Sequence, residues 1–223
     1  MHRTLPLRRA TALGAAAAAA ALTLSACASS GSGTPAAQVS PVTAHTPYQG
    51  TYLTAPFAKP DVTLTDTSGK PFDIAKDTAG KAVLLYFGYT KCPDECPTTM
   101  GDIAVALQKQ PASVRQQTEV VFVSTDPQDD TPKVLRGWLD SFDKSFVGLT
   151  GDFATIQKAA KSVGVYVEPP VRSSDGSVTS THGAQVLAYL PSDGRGHVLY
   201  TSGTPVAEYK HDLPLLVKSV TAS

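Results

Sequence analysis

Six consecutive apolar residues, Ala82-Val83-Leu84-Leu85-Tyr86-Phe87, stand out from an otherwise mixed chain. A run of that kind has no polar face to offer water, so it predicts a strand covered on both sides and central to a sheet. Val120-Val121-Phe122-Val123 reads the same way. Between the two runs, Met100, Ile103, Ala104 and Leu107 recur at i, i+3, i+4 and i+7, the buried stripe of a helix starting near Pro97. Thr131-Pro132 has the form of an N-cap followed by a first-turn proline and opens a helix expected to bury Leu135, Trp138 and Phe142. Phe153, Ile156, Ala160 and Val163 mark another helix, stopped by Gly164. Strands are expected at 165–167, 184–190 and 197–201, with Asp193-Gly194 turning between the last two. Asp212 is placed to cap a final helix carrying Leu213, Leu216, Val217 and Val220. Ahead of all this, Val62-Thr63-Leu64-Thr65 alternates with period two and 66–70 is turn chemistry before Pro71-Phe72-Asp73, which predicts an N-terminal hairpin. A β-α-β unit followed by a C-terminal hairpin and helix is the order of a thioredoxin-like α/β fold, here a three-layer sandwich with an N-terminal β-hairpin extension over residues 53–223.

The first 52 residues follow neither pattern. Arg3, Arg8 and Arg9 precede an alanine-rich apolar run that ends at Leu24-Ser25-Ala26-Cys27. That is the layout of a secretory signal over 1–26, too short and too alanine-rich for a good membrane span. Leu24-Ser25-Ala26-Cys27 resembles a bacterial lipobox, in which the cysteine thiol receives a diacylglycerol and becomes the new N-terminus. On that reading Cys27 is a lipidation site, and several acyl chains on one residue give stable attachment to a membrane surface. Residues 28–52 are dominated by Ser, Gly, Thr, Ala and Pro without hydrophobic periodicity, so 27–52 is expected to be a flexible tether with a reach of roughly 25 to 30 Å. His45 within it reads as a solvated residue. The expected location is the outer face of the cytoplasmic membrane of a bacterium.

Charge adds little to this picture. The 223 residues carry 19 basic and 19 acidic groups, and removal of 1–26 takes three arginines and no acid, leaving a mild net −3. Neither value gives an electrostatic reason to expect nucleic acid as a partner. Cysteine content changes more: three thiols are too few for a disulfide-built scaffold, and Cys27 is set apart from Cys92 and Cys96.

Those two cysteines lie in Gly88-Tyr89-Thr90-Lys91-Cys92-Pro93-Asp94-Glu95-Cys96-Pro97, between the predicted central strand and the helix. With Cys96 at or beside the N-cap, unpaired N–H groups and the positive end of the helix dipole favour thiolate, so both sulfurs are expected to ionise easily. Thiolate serves metal ligation and disulfide exchange alike. A merely stabilising disulfide is a poor explanation, because a ring of five residues would restrict the unfolded chain little. Thioredoxin-like oxidoreductases place two residues between their cysteines; three here leave room for a metal ion. A third ligand is then needed, and His182, in a polar loop ahead of the strand expected at 184–190, is the best placed. His197 and His211 read as structural. Two thiolates and an imidazole form a soft, low-coordinate set that suits Cu(I) and, with a weak added ligand, Cu(II). Closed zinc sites usually bring four protein ligands, so copper is the expected ion.

Phe87-Gly88-Tyr89-Thr90-x-Cys92-Pro93-Asp94-x-Cys96-Pro97 resembles the signature of the Sco/SenC proteins, thioredoxin-like copper proteins of cytochrome c oxidase assembly. Ser124-Thr125-Asp126-Pro127-x-x-Asp130-Thr131-Pro132 is similar to that family's second block and Gly148-Leu149-Thr150-Gly151 to its third. The resemblance implies that Cys92, Cys96 and His182 ligate copper, that the cysteines also form a reversible disulfide, and that Asp126 lies near the site, helping transfer or only capping a turn. It further implies a metallochaperone serving the oxidase subunit that carries the dinuclear copper centre, with other copper chaperones as further partners. The alternative within the same resemblance is a thiol-disulfide oxidoreductase that keeps the oxidase's copper-ligand cysteines reduced. A peroxidase is disfavoured, since no threonine-then-cysteine peroxidatic motif is apparent. Two positions depart from the family pattern: Asp129 stands where a basic residue is usual, and Thr181 where an acidic one would precede the histidine.

Overall fold

The computed structural model describes residues 46–221; the segment 1–26 expected to be a signal, Cys27 and His45 lie outside the described residues. Along the chain run β1 (Thr51–Ala58), β2 (Thr63–Asp66), β3 (Pro71–Asp73), α1 (Ile74–Asp77), β4 (Ala82–Gly88), α2 (Glu95–Gln108), α3 (Ala112–Gln116) and β5 (Thr118–Ser124). They are followed by α4 (Pro132–Leu139), β6 (Val147–Thr150), α5 (Phe153–Ser162), β7 (Val171–Arg172), β8 (Val178–Thr179), β9 (Val186–Tyr189), β10 (Arg195–Tyr200) and α6 (Val206–Val217). Eight strands form one sheet in the order β1-β10-β9-β4-β5-β6-β2-β3, while β7 and β8 pair only with each other. β4 and β5 are parallel neighbours in register from Ala82↔Thr118 to Gly88↔Ser124, and β9 runs antiparallel on the other side of β4.

Period two on β4 divides the interior into two cores, one on each face of the sheet. Leu84 and Tyr86 point to the side covered by α2, α4 and α6, against Met100, Ile103, Leu135 and Leu213. Val83, Leu85 and Phe87 point to the opposite side, where α5 supplies Ile156, Ala159 and Ala160. This is the expected three-layer thioredoxin-like α/β architecture, and β2 with β3 forms the expected hairpin. Thr131 caps α4 as read, its hydroxyl accepting from the Val134 N–H, and Gly164 stops the next helix at a φ of 72°. Phe142 falls beyond the end of α4, and both it and Trp138 are only partly buried.

Three expectations are corrected. The folded part begins ahead of Leu53, since β1 starts at Thr51 and Tyr48 is buried. Residues 165–167 are not a strand: the Val165 N–H closes the end of α5 by bonding Ala160 O, and Val167 makes a single antiparallel bridge to His182. Val165 and Val167 are buried all the same, so the alternation reported burial without a ladder. Asp212 is no cap either. It lies within α6, which starts six residues earlier behind Pro205, and is fully buried. Its carboxylate accepts the N–H groups of Gln49 and Gly50 and the Tyr200 hydroxyl, and meets His211 Nδ1 at 2.7 Å, so it fastens the entry to β1 onto the last helix.

Pro214 interrupts the same helix and leaves the Lys210 carbonyl without its helical donor. The buried side chain of Gln110 supplies the missing bond, Nε2 to Lys210 O at 2.7 Å.

Candidate metal centre

β4 ends at Gly88, and the chain turns over the C-terminal edge of the sheet before α2 begins. The turn is held by the Cys92 N–H bonding Tyr89 O and by the Thr98 N–H bonding Asp94 O. Asp94 is the N-cap residue, so Cys96 is the second residue of the helix, inside its first turn and fully buried. Cys92, half-buried above it, accepts the Cys96 N–H at 3.4 Å. Gly88 makes room for this stacking: a Cβ there would lie 2.9 Å from the Cys96 sulfur and 2.9 Å from the Tyr86 ring. Only a residue without a side chain lets the sulfur settle onto the end of β4.

The two sulfurs do not ionise alike, which corrects the expectation from their shared helix terminus. Cys92 is brought down from its ordinary value to about 5, first by the hydrogen bond from the Cys96 thiol, then by the N–H groups of Asp94 and Cys96 and by nearby His182, against the opposing effect of burial. Cys96 is pushed far up, first by its bond to Cys92 and then by burial. Two touching sulfurs compete for one set of donors, so the first negative charge opposes the second. The apo site therefore holds a thiolate at Cys92 and a thiol at Cys96. Iodoacetamide is expected to modify Cys92 and spare Cys96 in the apo protein, with a rate that is flat at neutral pH and falls tenfold per unit below about 5. Mass spectrometry of the alkylated peptides checks this; a midpoint near an ordinary thiol value would contradict it.

His182 completes the group from the other side. Its Nδ1 meets Gly183 O at 3.0 Å, which leaves Nε2 facing the Cys96 sulfur at 3.8 Å. A backbone carbonyl thus orients the ring in place of the acidic neighbour that Thr181 does not supply. The imidazole sits edge-on to Tyr86 and Tyr89, with centroids 6.1 and 6.0 Å away. Tyr86 also points its hydroxyl at the Cys96 sulfur, 3.7 Å away, and burial keeps that hydroxyl protonated. Among the described residues no three His, Cys, Asp or Glu side chains are placed closely enough together to hold a metal ion as they stand, and Cys96 is the corner shared by the contacts to Cys92 and to His182. Metal–sulfur and metal–nitrogen bonds of about 2.3 and 2.0 Å, as at zinc, together span about 4.3 Å, so 3.8 Å lets one ion reach both atoms. The donor set is soft, and a metal held by it would displace the Cys96 proton.

Asp126 is also fully buried, but its carboxylate is paired with Arg172 rather than with a sulfur or the imidazole. Asp129 accepts from Lys91 and Arg172. His197 is bonded to Asp193 and His211 to Asp212, each at 2.7 Å. Tyr86, Gly88 and Tyr89 are site residues that residue-type reasoning passed over. A hydroxyl inside an otherwise apolar central strand, two residues ahead of a glycine, was the available signal.

Fold and residues together define a thioredoxin-like α/β protein with a cysteine pair and a histidine at the C-terminal end of its central strand. The SCO1/SenC family model matches residues 51–216, and the chain belongs to that family. A putative copper-binding protein of Stutzerimonas stutzeri is 34% identical over 143 residues, which are 63% of this chain and 69% of that one. Bradyrhizobium japonicum ScoI, solved with copper bound, is 34% identical with a TM-score of 0.62, covering 73% of this chain and 98% of that one. A SCO1/SenC family lipoprotein from Bacillus anthracis is 26% identical with a TM-score of 0.60, over 73% and 98% of the two chains. The matches to the yeast mitochondrial SCO2 and SCO1 proteins span only 35% and 36% of those longer chains. Among the described residues no helix is long and apolar enough to cross a membrane.

Proposed function

We propose that this protein binds copper through Cys92, Cys96 and His182 and delivers it to the oxidase subunit carrying the dinuclear copper centre, while held to the outer face of the cytoplasmic membrane by a lipid on Cys27. The observation that carries this reading is the approach of His182 Nε2 to the Cys96 sulfur, with Nδ1 occupied by a carbonyl. Copper ligation needs an imidazole aimed in this way, whereas disulfide exchange can proceed without one. Copper in the Bradyrhizobium relative supports the cargo, a solved Sco protein described as one of a family of cytochrome c oxidase assembly proteins supports the recipient, and the Bacillus lipoprotein supports the anchor. No substrate pocket or general base is required, so the protein acts as a binding and delivery domain.

One observation favours a second reading. A half-exposed thiolate at Cys92 against a buried thiol at Cys96 is the arrangement of an attacking and a resolving sulfur. In that role the dithiol is oxidised to a disulfide while a partner disulfide is reduced to two thiols. The two readings separate on His182. Copper-loaded protein is mixed with the reduced, metal-free copper domain of the oxidase subunit, and formation of the dinuclear centre is followed by its visible absorption. In parallel, reduced protein is mixed with the oxidised domain and thiols are counted. His182→Ala is expected to lose delivery and keep reduction; equal delivery by both proteins overturns the chaperone reading.

A further inference from the structure

The strands β7 and β8 form a hairpin that pairs with no strand of the main sheet, and His182 follows it by only three residues. The backbone ties of this segment to the body are few: the Glu168 N–H to Thr181 O, the Gly183 N–H to Tyr166 O and the bridge of Val167 to His182 join it chiefly to residues just before it. What fixes it against the rest of the protein is side-chain chemistry, and most of that converges on Arg172. Its guanidinium reaches three side chains of one loop, the segment between β5 and α4. Nη2 pairs with Asp126 Oδ1, Nη1 lies 3.5 Å from the other Asp126 oxygen and 3.2 Å from Asp129 Oδ2, and Nε donates to Gln128 Oε1 at 3.0 Å. Ser180 Oγ adds a contact to Thr125 Oγ1 at 2.7 Å.

The same loop holds the cysteine turn at its other end. Asp130, fully buried, accepts the Thr90 N–H at 3.1 Å and the Thr90 hydroxyl, and takes the Ser124 hydroxyl at 2.6 Å. The Thr125 N–H bonds Gly88 O at 2.6 Å, and Lys91, next to Cys92, meets Asp129 at 2.8 Å. The loop is thus a bracket: Asp130, Thr125 and Asp129 fasten it to the cysteine side, and Asp126, Gln128 and Asp129 fasten it to the histidine side through one arginine.

We propose that Arg172 is a positioning residue that sets the distance from His182 to the cysteine pair by clamping the histidine-bearing hairpin to the 124–130 loop. The fork geometry matters, because the guanidinium meets Gln128, Asp129 and Asp126 from three nitrogens held in one plane, whereas an ammonium donates from a single point. Asp126 is then a structural anchor whose effect on copper passes through Arg172 and the hairpin. Asp129 acquires a purpose too, since as an acid it links Lys91 on the cysteine turn to Arg172 on the hairpin.

The metal part of this inference rests on the copper reading; the clamp itself does not. The test uses the mature chain as wild type, Arg172→Gln, Arg172→Lys, His182→Ala and the double variant Arg172→Gln/His182→Ala. Amide exchange of the apo proteins is expected to rise in 166–183 for Arg172→Gln and less for Arg172→Lys, while the central strand β4 stays protected. Anaerobic chelator competition is expected to show Cu(I) affinity about tenfold weaker in Arg172→Gln, in the range of losses found for groups that orient a ligand, with partial recovery in Arg172→Lys. In the His182→Ala background the same substitution is expected to change affinity by less than about twofold, because its effect runs through the imidazole. Unchanged exchange overturns the clamp, as does an affinity loss of equal size in both backgrounds. Should wild type bind Cu(I) no more tightly than His182→Ala, the copper reading fails and the exchange data alone decide the clamp. If Arg172→Gln does not fold, Asp126→Asn/Arg172→Gln, which leaves no unpaired buried charge, takes its place in every arm.

Discussion

Replacing His182 by alanine is expected to lower Cu(I) affinity by about 100-fold or more, at least as much as the loss of an orienting group around a metal ligand. Cys92 and Cys96 remain and can still hold Cu(I) between them, so binding weakens without vanishing. The size of the loss follows from preorganisation. Nδ1 is engaged by Gly183 O, Tyr86 and Tyr89 flank the ring, and Nε2 already faces the Cys96 sulfur at 3.8 Å, so the wild-type site loses little freedom on gaining the nitrogen. Competition against a Cu(I) chelator in the absence of oxygen, with both cysteines confirmed reduced, gives the number. A change smaller than about threefold would mean that the imidazole does not ligate, because second-contact losses alone begin near tenfold.

The second large effect is on stability. Asp212→Ala is expected to destabilise the fold by about 3 to 5 kcal/mol, the scale of breaking a buried charged network by removing one partner. Four donors meet that carboxylate: two backbone N–H groups at 49 and 50, the Tyr200 hydroxyl and His211 Nδ1. The Tyr200 hydroxyl cannot be solvated in place, because Asp212 and Tyr200 are almost wholly buried, whereas Gln49 and the His211 ring lie nearer the surface. For a domain of this size each kcal/mol moves the midpoint by about 2 to 4 °C, so thermal unfolding should show a fall of about 6 to 20 °C. None of the four donors touches Cys92, Cys96 or His182, so Cu(I) affinity of the folded variant is expected to stay within about twofold of wild type, as for distant independent sites. A midpoint shift below about 3 °C would show that the carboxylate is dispensable, since even 2 kcal/mol would exceed it.

The expectation that Asp212 would cap a helix shows where residue-by-residue reading fails. An aspartate ahead of an apolar stripe looks the same on paper whether it starts a helix or lies inside one; only the approach of residues 49 and 50, distant in sequence, decides. By contrast the double-sided burial of β4 and β5 was legible, because a long apolar run has few other places to go. Val165 and Val167 were legible as buried and illegible as backbone, since side-chain alternation says nothing of whether a partner strand exists. The hairpin of β7 and β8 left no signal: its four strand residues include the exposed Val171 and Arg172. Motif spacing singled out Cys92 and Cys96, a place in a polar loop ahead of a strand singled out His182, and the structure brings Cys96 to both of the others. The unequal ionisation of the sulfurs depends on which one is covered, and coverage is a property of the whole fold. Arg172 was invisible for the same reason, as nothing near it in sequence marks it as the partner of Asp126.

The two outer strands of the main sheet carry a consequence for how other molecules can engage this protein. β1 shifts register against β10 between Tyr52 and Phe57, and within that interval Pro56 has no N–H while its carbonyl takes the Arg195 side chain. β3 is three residues long, begins with Pro71, and spends the Asp73 N–H on Asp77. Edges blunted in this way are poor templates for an added strand. Capture of a partner by extending the main sheet with that partner's backbone is therefore disfavoured. On the proposed delivery reading, recognition would fall to side chains around the cysteine turn and the histidine hairpin, and copies held side by side would find neither outer strand of the main sheet a good template for zipping together.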